Sequence, residues 1–125
     1  MTYEVGASVS FRALHRMPVE GPEGEVHAHD YRIDVVVARE SLDGDGMVID
    51  LDRLDGELRA IGTELADRDL EAIRPADADA VTVEVFARWT HGRLEPLVHE
   101  AGGGEVSVRV YESAAAFGGY RAVVP

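Results

Sequence analysis

The chain has 125 residues, is 46% hydrophobic and contains no cysteine. That is enough for one domain with a modest core, and it excludes disulfides, thiolate metal ligands and a cysteine nucleophile. Acidic residues outnumber basic ones by 24 to 12, for a net charge of −12, a field that repels phosphate backbones and excludes general nucleic-acid binding.

No apolar run approaches the roughly 20 residues of a membrane span. No basic segment followed by an apolar one opens the chain, so the expected location is cytoplasmic and no membrane partner is expected.

Tyr3 to His15 alternates, with Val5, Ala7, Val9, Phe11 and Ala13 on one side, which predicts a strand. Arg16 to Glu25 carries Pro18, Gly21, Pro22 and Gly24 and reads as a loop. Val26 to Arg39 is rich in Val, Ile and Tyr and reads as a second, long strand, followed by a glycine-containing turn at Leu42–Gly46. Leu51, Leu54, Leu58, Ile61 and Leu65 recur at helical spacing, with Asp50 or Asp52 as the N-terminal cap. A second helix is predicted over Val81 to Leu94, capped by Thr82, with Val81, Val85, Trp89 and Arg88 inward. His91-Gly92 then closes that helix, and His99 falls in a loop; both histidines read as surface residues. Glu105 to Glu112 and Tyr120 to Val124 are predicted as the third and fourth strands. The order strand, strand, helix, helix, strand, strand indicates an α+β fold, a four-stranded antiparallel sheet with two helices on one face. Its two edge strands invite pairing with another subunit.

Three histidines carry the functional signal. His27 and His29 lie two apart on a strand and so point to one side. The loop from Arg16 to Val26 returns His15 to the same face. Three imidazoles with one open position form the ligand set of a catalytic zinc site. The spacing alone also fits a half-exposed polar pair with an unrelated surface histidine.

The residues around them resemble the 6-pyruvoyltetrahydropterin synthase and 6-carboxytetrahydropterin synthase family, of the tunnelling fold. The resemblance rests on five segments in order over nearly the whole chain. They are Phe11 to His15, His27-Ala28-His29-Asp30-Tyr31, Gly46 to Asp50, Thr82-Val83-Glu84 and Glu112-Ser113. It implies one tunnelling-fold domain over residues 1–125, zinc held by His15, His27 and His29, and a homohexamer built as a dimer of trimers. It also implies that Glu112 anchors the ring of a reduced pterin. A carboxylate accepting two hydrogen bonds suits the adjacent N–H donors of an amino-pyrimidinone edge.

Two departures narrow the reading. Where synthases of the family use a cysteine, four residues before the first histidine of the pair, this chain has Glu23. The family's Asp-His pair near the end of the first helix falls on Ala66 and Asp67, so both members are changed and the histidine is missing; Asp67 is the candidate catalytic carboxylate at this place, with a solvated helix residue as the alternative reading. A branch of the family with glutamate at the cysteine position cleaves the side chain of dihydroneopterin triphosphate to 6-hydroxymethyl-7,8-dihydropterin. The resemblance therefore implies a zinc-dependent lyase with Glu23 as general base. Arg12 and Arg16 are candidate contacts for the triphosphate, and read equally well as surface arginines. The alternatives are a zinc- and pterin-binding paralogue without the family's activity, or a 6-pyruvoyl or 6-carboxy synthase with altered proton-transfer residues.

Overall fold

The computed structural model describes all 125 residues. Strands β1 (Tyr3–His15) and β2 (His27–Arg39) are 13 residues each and pair antiparallel from Tyr3 opposite Arg39 to His15 opposite His27. Strand β3 (Gly104–Tyr111) adds to β2, and β4 (Phe117–Val124) adds to β3. The sheet order is β1-β2-β3-β4, so β1 and β4 are the edges. Helices α1 (Leu51–Leu65) and α2 (Val83–Glu100) cover one face, α1 against β1 and α2 against β3 and β4. This is the α+β arrangement that the hydrophobic patterning predicts. No helix is long and apolar enough to cross a membrane.

The strands alternate as a one-sided sheet requires. Ile33, Val35 and Val37 of β2 and Val106, Val108 and Val110 of β3 are buried under the helices, while the residues between them face outward. From α1, Leu54, Leu58, Ile61 and Leu65 complete this core; Leu51, expected in the same stripe, is about half exposed in the first turn. Each such fully buried side chain contributes roughly 1.5–3 kcal/mol relative to exposure. Asp50 caps α1 by accepting the Asp52 N–H. Gly62 lets the helix approach β1 closely, since a Cβ there would lie 3.2 Å from Val9 Cγ2.

The second helix differs from the expectation at both its end and its inner face. It runs through Gly92 and Pro96 to Glu100 rather than stopping at Leu94. Both breakers lie on the exposed side, where water can take the hydrogen bond that Pro96 cannot make. The buried stripe is Phe86, Ala87, Thr90, His91, Leu94 and Val98. Val85 and Trp89 only flank it, Val81 is buried ahead of the helix, and Arg88 points outward to Asp77. A run spaced by four drifts around a 3.6-residue helix, whereas alternating steps of three and four stay on one face. Thr82 does cap this helix, accepting the Val85 N–H.

Strand β4 starts at Phe117, three residues earlier than predicted, because Gly118 and Gly119 belong to it. A Cβ on Gly118 would stand 2.5 Å from Val83 Cγ2, so glycine here permits close approach of strand to helix.

The turn between β2 and α1 is organised by Asp43, whose Oδ1 accepts the N–H groups of Asp45 and Met47. The Met47 N–H chiefly holds its carboxyl below the ordinary range, against desolvation and with lesser help from Asp45 and the Arg39 guanidinium. A lowered folded pKa gives stability that is present above the unfolded value, about 3.9, and lost as pH falls through the folded one. Asp43→Asn is therefore expected to lower the melting temperature slightly at pH 6, with the gap to the parent closing as pH drops below about 4. A gap independent of pH in calorimetric scans would refute this.

Candidate functional site

The site lies at the end of the β1–β2 ladder, on the helix-covered face. His15 and His27 are directly opposite, and Ala13, fully buried and small, is opposite His29. Ala28, between the two histidines of β2, is exposed on the other face, so its methyl does not enter the site. The three rings stand edge to face, with centroids 5.2 Å apart for His15–His27, 5.6 Å for His15–His29 and 4.8 Å for His27–His29. His15 is buried, and its pKa is lowered first by that burial and then by the neighbouring His27 and His29; Glu112 and Glu23 oppose the shift. Its ring is thus neutral at neutral pH, the form in which a histidine donates to a metal.

His27 is oriented by the loop before it. Its Nδ1 donates to the carbonyl of Glu25 at 2.7 Å. In the neutral ring that leaves Nε2 as the lone-pair nitrogen, and it is buried with no hydrogen-bond partner. Glu23 sits in a one-turn 3₁₀ helix, Pro22–Gly24, and brings Oε2 to 3.6 Å from that nitrogen. The Glu23 side chain is 70% exposed, open to an incoming molecule.

Behind the histidines lies an aromatic wall. Tyr31 is edge-on to His29 at 5.6 Å and to Phe86 at 5.5 Å, and Phe11 packs on both Tyr31 and Phe86. Burial, with a smaller contribution from the Glu112 carboxylate, raises the Tyr31 pKa and keeps its hydroxyl protonated. Glu112 is half-buried just beyond β3, following Tyr111, which pairs with Arg32 beside Tyr31. Its charge raises the pKa of both Tyr31 and His15, so the carboxylate lies within electrostatic reach of this cluster.

The family model for 6-pyruvoyl tetrahydropterin synthase matches residues 4–122. The chain belongs to this family. Among solved structures, 6-pyruvoyl tetrahydropterin synthase from Plasmodium vivax superposes with a TM-score of 0.81 at 16% identity, covering 99% of each chain. A form of the Plasmodium vivax enzyme in which a glutamate described as a catalytic residue is replaced by cysteine gives 0.81 at 14% identity, over 99% of each chain. The Caenorhabditis elegans 6-pyruvoyl tetrahydropterin synthase gives 0.74 at 20% identity, covering 98% of this chain and 96% of its own. At these identities the structural likeness establishes the tunnelling fold alone. No curated protein matches the chain.

The family implies zinc, and the donor set in this chain fits it. Three imidazoles sharing one tetrahedral ion, at about 2.0–2.1 Å from each nitrogen, place their ring centroids about 5 Å apart. The observed separations bracket that figure, and the unpartnered Nε2 of His27 is a donor atom with no other use. The ring separations suit zinc, but the donor atoms of no three His, Asp or Glu side chains are arranged to hold a metal ion as they stand, so the side chains must turn to bind one.

Where the sequence suggests a catalytic Asp67, the structure gives it different company from the family's Asp-His pair. Asp67 lies beyond the end of α1 with a left-handed backbone, φ 59°. Its N–H donates to the Arg12 carbonyl at 2.7 Å, and its exposed carboxylate pairs with the Arg12 guanidinium at 3.1 Å. Arg12 is therefore already engaged, while Arg16, next to His15, has no carboxylate within ion-pair distance. The Leu14 N–H donates to Arg68, so residues 67–69 cover the β1 edge beside the site.

His91 corrects the surface reading. It is buried in the middle of α2, with Nδ1 3.1 Å from Glu95 Oε1, Nε2 3.2 Å from the Ala122 carbonyl and the Tyr120 ring edge-on at 5.0 Å. It ties α2 to β4, and neither nitrogen is free to replace the missing imidazole. His99 is exposed but lies in the last turn of α2, where Nδ1 meets the Pro125 carbonyl. Sequence reasoning missed the Glu25 carbonyl that orients His27, because a backbone acceptor leaves no residue-type signal.

Proposed function

We propose that the chain is a zinc-dependent lyase acting on dihydroneopterin triphosphate or a related reduced pterin, cleaving the side chain to 6-hydroxymethyl-7,8-dihydropterin. The observation that carries this reading is the Glu23 carboxylate 3.6 Å from the unpartnered Nε2 of His27. It gains weight from the glutamate described as catalytic in the Plasmodium vivax relative. His15, His27 and His29 would hold zinc, which supplies a Lewis acid for the hydroxylated side chain. Glu112 accepts the N–H edge of the pterin ring and fixes its orientation. Tyr31, buried and kept protonated, backs the His29 ring from the core side. Glu23 takes the proton from the C2′ hydroxyl; the C1′–C2′ bond breaks as C2′ becomes an aldehyde. Its electron pair goes to C1′, which is protonated, with Glu23 now the nearby acid. The products are 6-hydroxymethyl-7,8-dihydropterin and a two-carbon aldehyde carrying the triphosphate, and no redox partner is needed.

The expected assembly is a homohexamer, a dimer of trimers. Support comes from the edge of β4 and the part of β1 not covered by residues 67–69, both open to another subunit. A binding paralogue is the second reading, favoured by the pairing of Asp67 with Arg12 where the family pairs aspartate with histidine. It predicts bound but unconverted pterin.

Glu112→Ala is expected to weaken binding of a reduced pterin roughly 10–100-fold, the loss of hydrogen bonds to a charged acceptor, with zinc content unchanged. Fluorescence titration under anaerobic conditions reads the affinity. Equal affinity in the variant and the parent would remove Glu112 from the pterin site.

A further inference from the structure

The loop Arg16–Val26 performs two tasks at His27 through two different residues. Glu23 presents a carboxylate to Nε2, and Glu25 presents a backbone carbonyl to Nδ1. Between them stands Gly24, and its backbone is seated directly on the opposite limb of the loop. A Cβ built on Gly24 would lie 1.9 Å from the Val19 carbonyl oxygen and 3.1 Å from its carbon. No side chain fits there, and the neighbour is backbone that cannot swing aside. The φ of Gly24 is not in the left-handed region, so the requirement is space rather than conformation. The two limbs are tied at the same place. The Met17 N–H donates to the Glu23 carbonyl at 2.7 Å, the Gly24 N–H to Gly21 at 3.0 Å and the Val19 N–H to Met17 at 2.9 Å.

We propose that Gly24 is a positioning residue: by seating the loop on the Val19 carbonyl it sets, in one adjustment, the reach of the Glu23 carboxylate and the Glu25 carbonyl that holds His27 in its Nδ1–H tautomer. Any Cβ at this position pushes the 3₁₀ turn off Val19 and moves both groups away from His27. The role of Glu23 as base rests on the proposed function; the hold on His27 does not. An outer hydrogen bond of this kind fixes ring orientation and typically alters metal affinity about 10–100-fold when lost.

The test is Gly24→Ala, with Gly44→Ala as the control, since a Cβ on Gly44 meets nothing within 4 Å. Imidazole nitrogen NMR of the zinc-free protein reads the tautomer of each ring. His27 is expected to be Nδ1–H in the parent and the control, and to lose that preference in Gly24→Ala, while His15 and His29 are unmoved. Zinc affinity, measured by chelator competition, is expected to fall about 10–100-fold in Gly24→Ala alone. Amide exchange at Val35 and Val37 reports whether the core is intact. Should Gly24→Ala lose that protection, Met17→Pro carries the test. It removes the N–H bonded to Glu23 without adding bulk at Gly24, and is expected to shift His27 in the same direction. An unchanged His27 tautomer with unchanged zinc affinity in a folded variant overturns the proposal. Lack of turnover by the parent would overturn the lyase reading and leave the tautomer result standing.

Discussion

Glu23→Ala is expected to lower kcat roughly 10²–10⁴-fold, the usual contribution of a positioned general base. Zinc content and pterin affinity should stay near those of the parent. The reason is the division of labour at His27. The ring is oriented by the Glu25 carbonyl, a backbone group that survives the substitution, while the Glu23 side chain approaches Nε2 without hydrogen-bonding it. Removing that side chain therefore takes away a proton acceptor and leaves the gathered imidazoles alone. Steady-state kinetics beside metal analysis of the same preparation measures both. Full activity in the variant would sink the role given to Glu23. Loss of zinc together with activity would show that Glu23 supports the metal rather than the proton transfer.

Phe86→Ala is expected to carry the largest cost in stability. The ring is fully buried and is the hub of the aromatic wall, at 6.2 Å from Phe11, 5.5 Å from Tyr31 and 6.2 Å from Trp89. Truncating a buried phenylalanine costs about 3–5 kcal/mol through lost transfer energy and an unfilled cavity. For a chain of this size that lowers the melting temperature by roughly 10–20 °C. A second effect follows from position. Tyr31 lies between Phe86 and His29, so the cavity removes the support behind one of the three gathered rings. Zinc affinity should fall as well, measured below the new melting temperature. Phe86→Leu should restore most of both. A shift under about 3 °C for Phe86→Ala would mean that the core can close over the site, against the packing described.

The sheet was legible because its signals are local and periodic. Alternation over Tyr3–His15 and Val26–Arg39 predicts β1 and β2 to within a residue, and the same alternation puts His15, His27 and His29 on one face. Helix α1 follows from its leucine spacing and Asp50 cap. Helix α2 outruns its sequence signal because Gly92 and Pro96 are breakers by propensity, and tertiary packing of Leu94 and Val98 overrides them. Glycines 118 and 119 hid the start of β4 for the same reason: they are there for the approach of α2 and of the neighbouring strand, which no local pattern reports. The burial of His91 depends on where Ala122 and Tyr120 fall, on a strand that comes some 30 residues later. At the candidate site, strand spacing pointed to the histidines, while Glu23 and Glu112 came only from the family resemblance. What sequence could not supply was the backbone part of the design, the Glu25 carbonyl and the seat of Gly24 on Val19.

On the proposed reading, this site cleaves a pterin side chain using a glutamate in place of the family's cysteine. The most direct test is mass-spectrometric product analysis of zinc-loaded protein incubated anaerobically with fresh dihydroneopterin triphosphate. The expected product is 6-hydroxymethyl-7,8-dihydropterin, formed in proportion to enzyme and absent with Glu23→Ala. A pyruvoyl or carboxy product, or substrate recovered unchanged at high enzyme concentration, would contradict it.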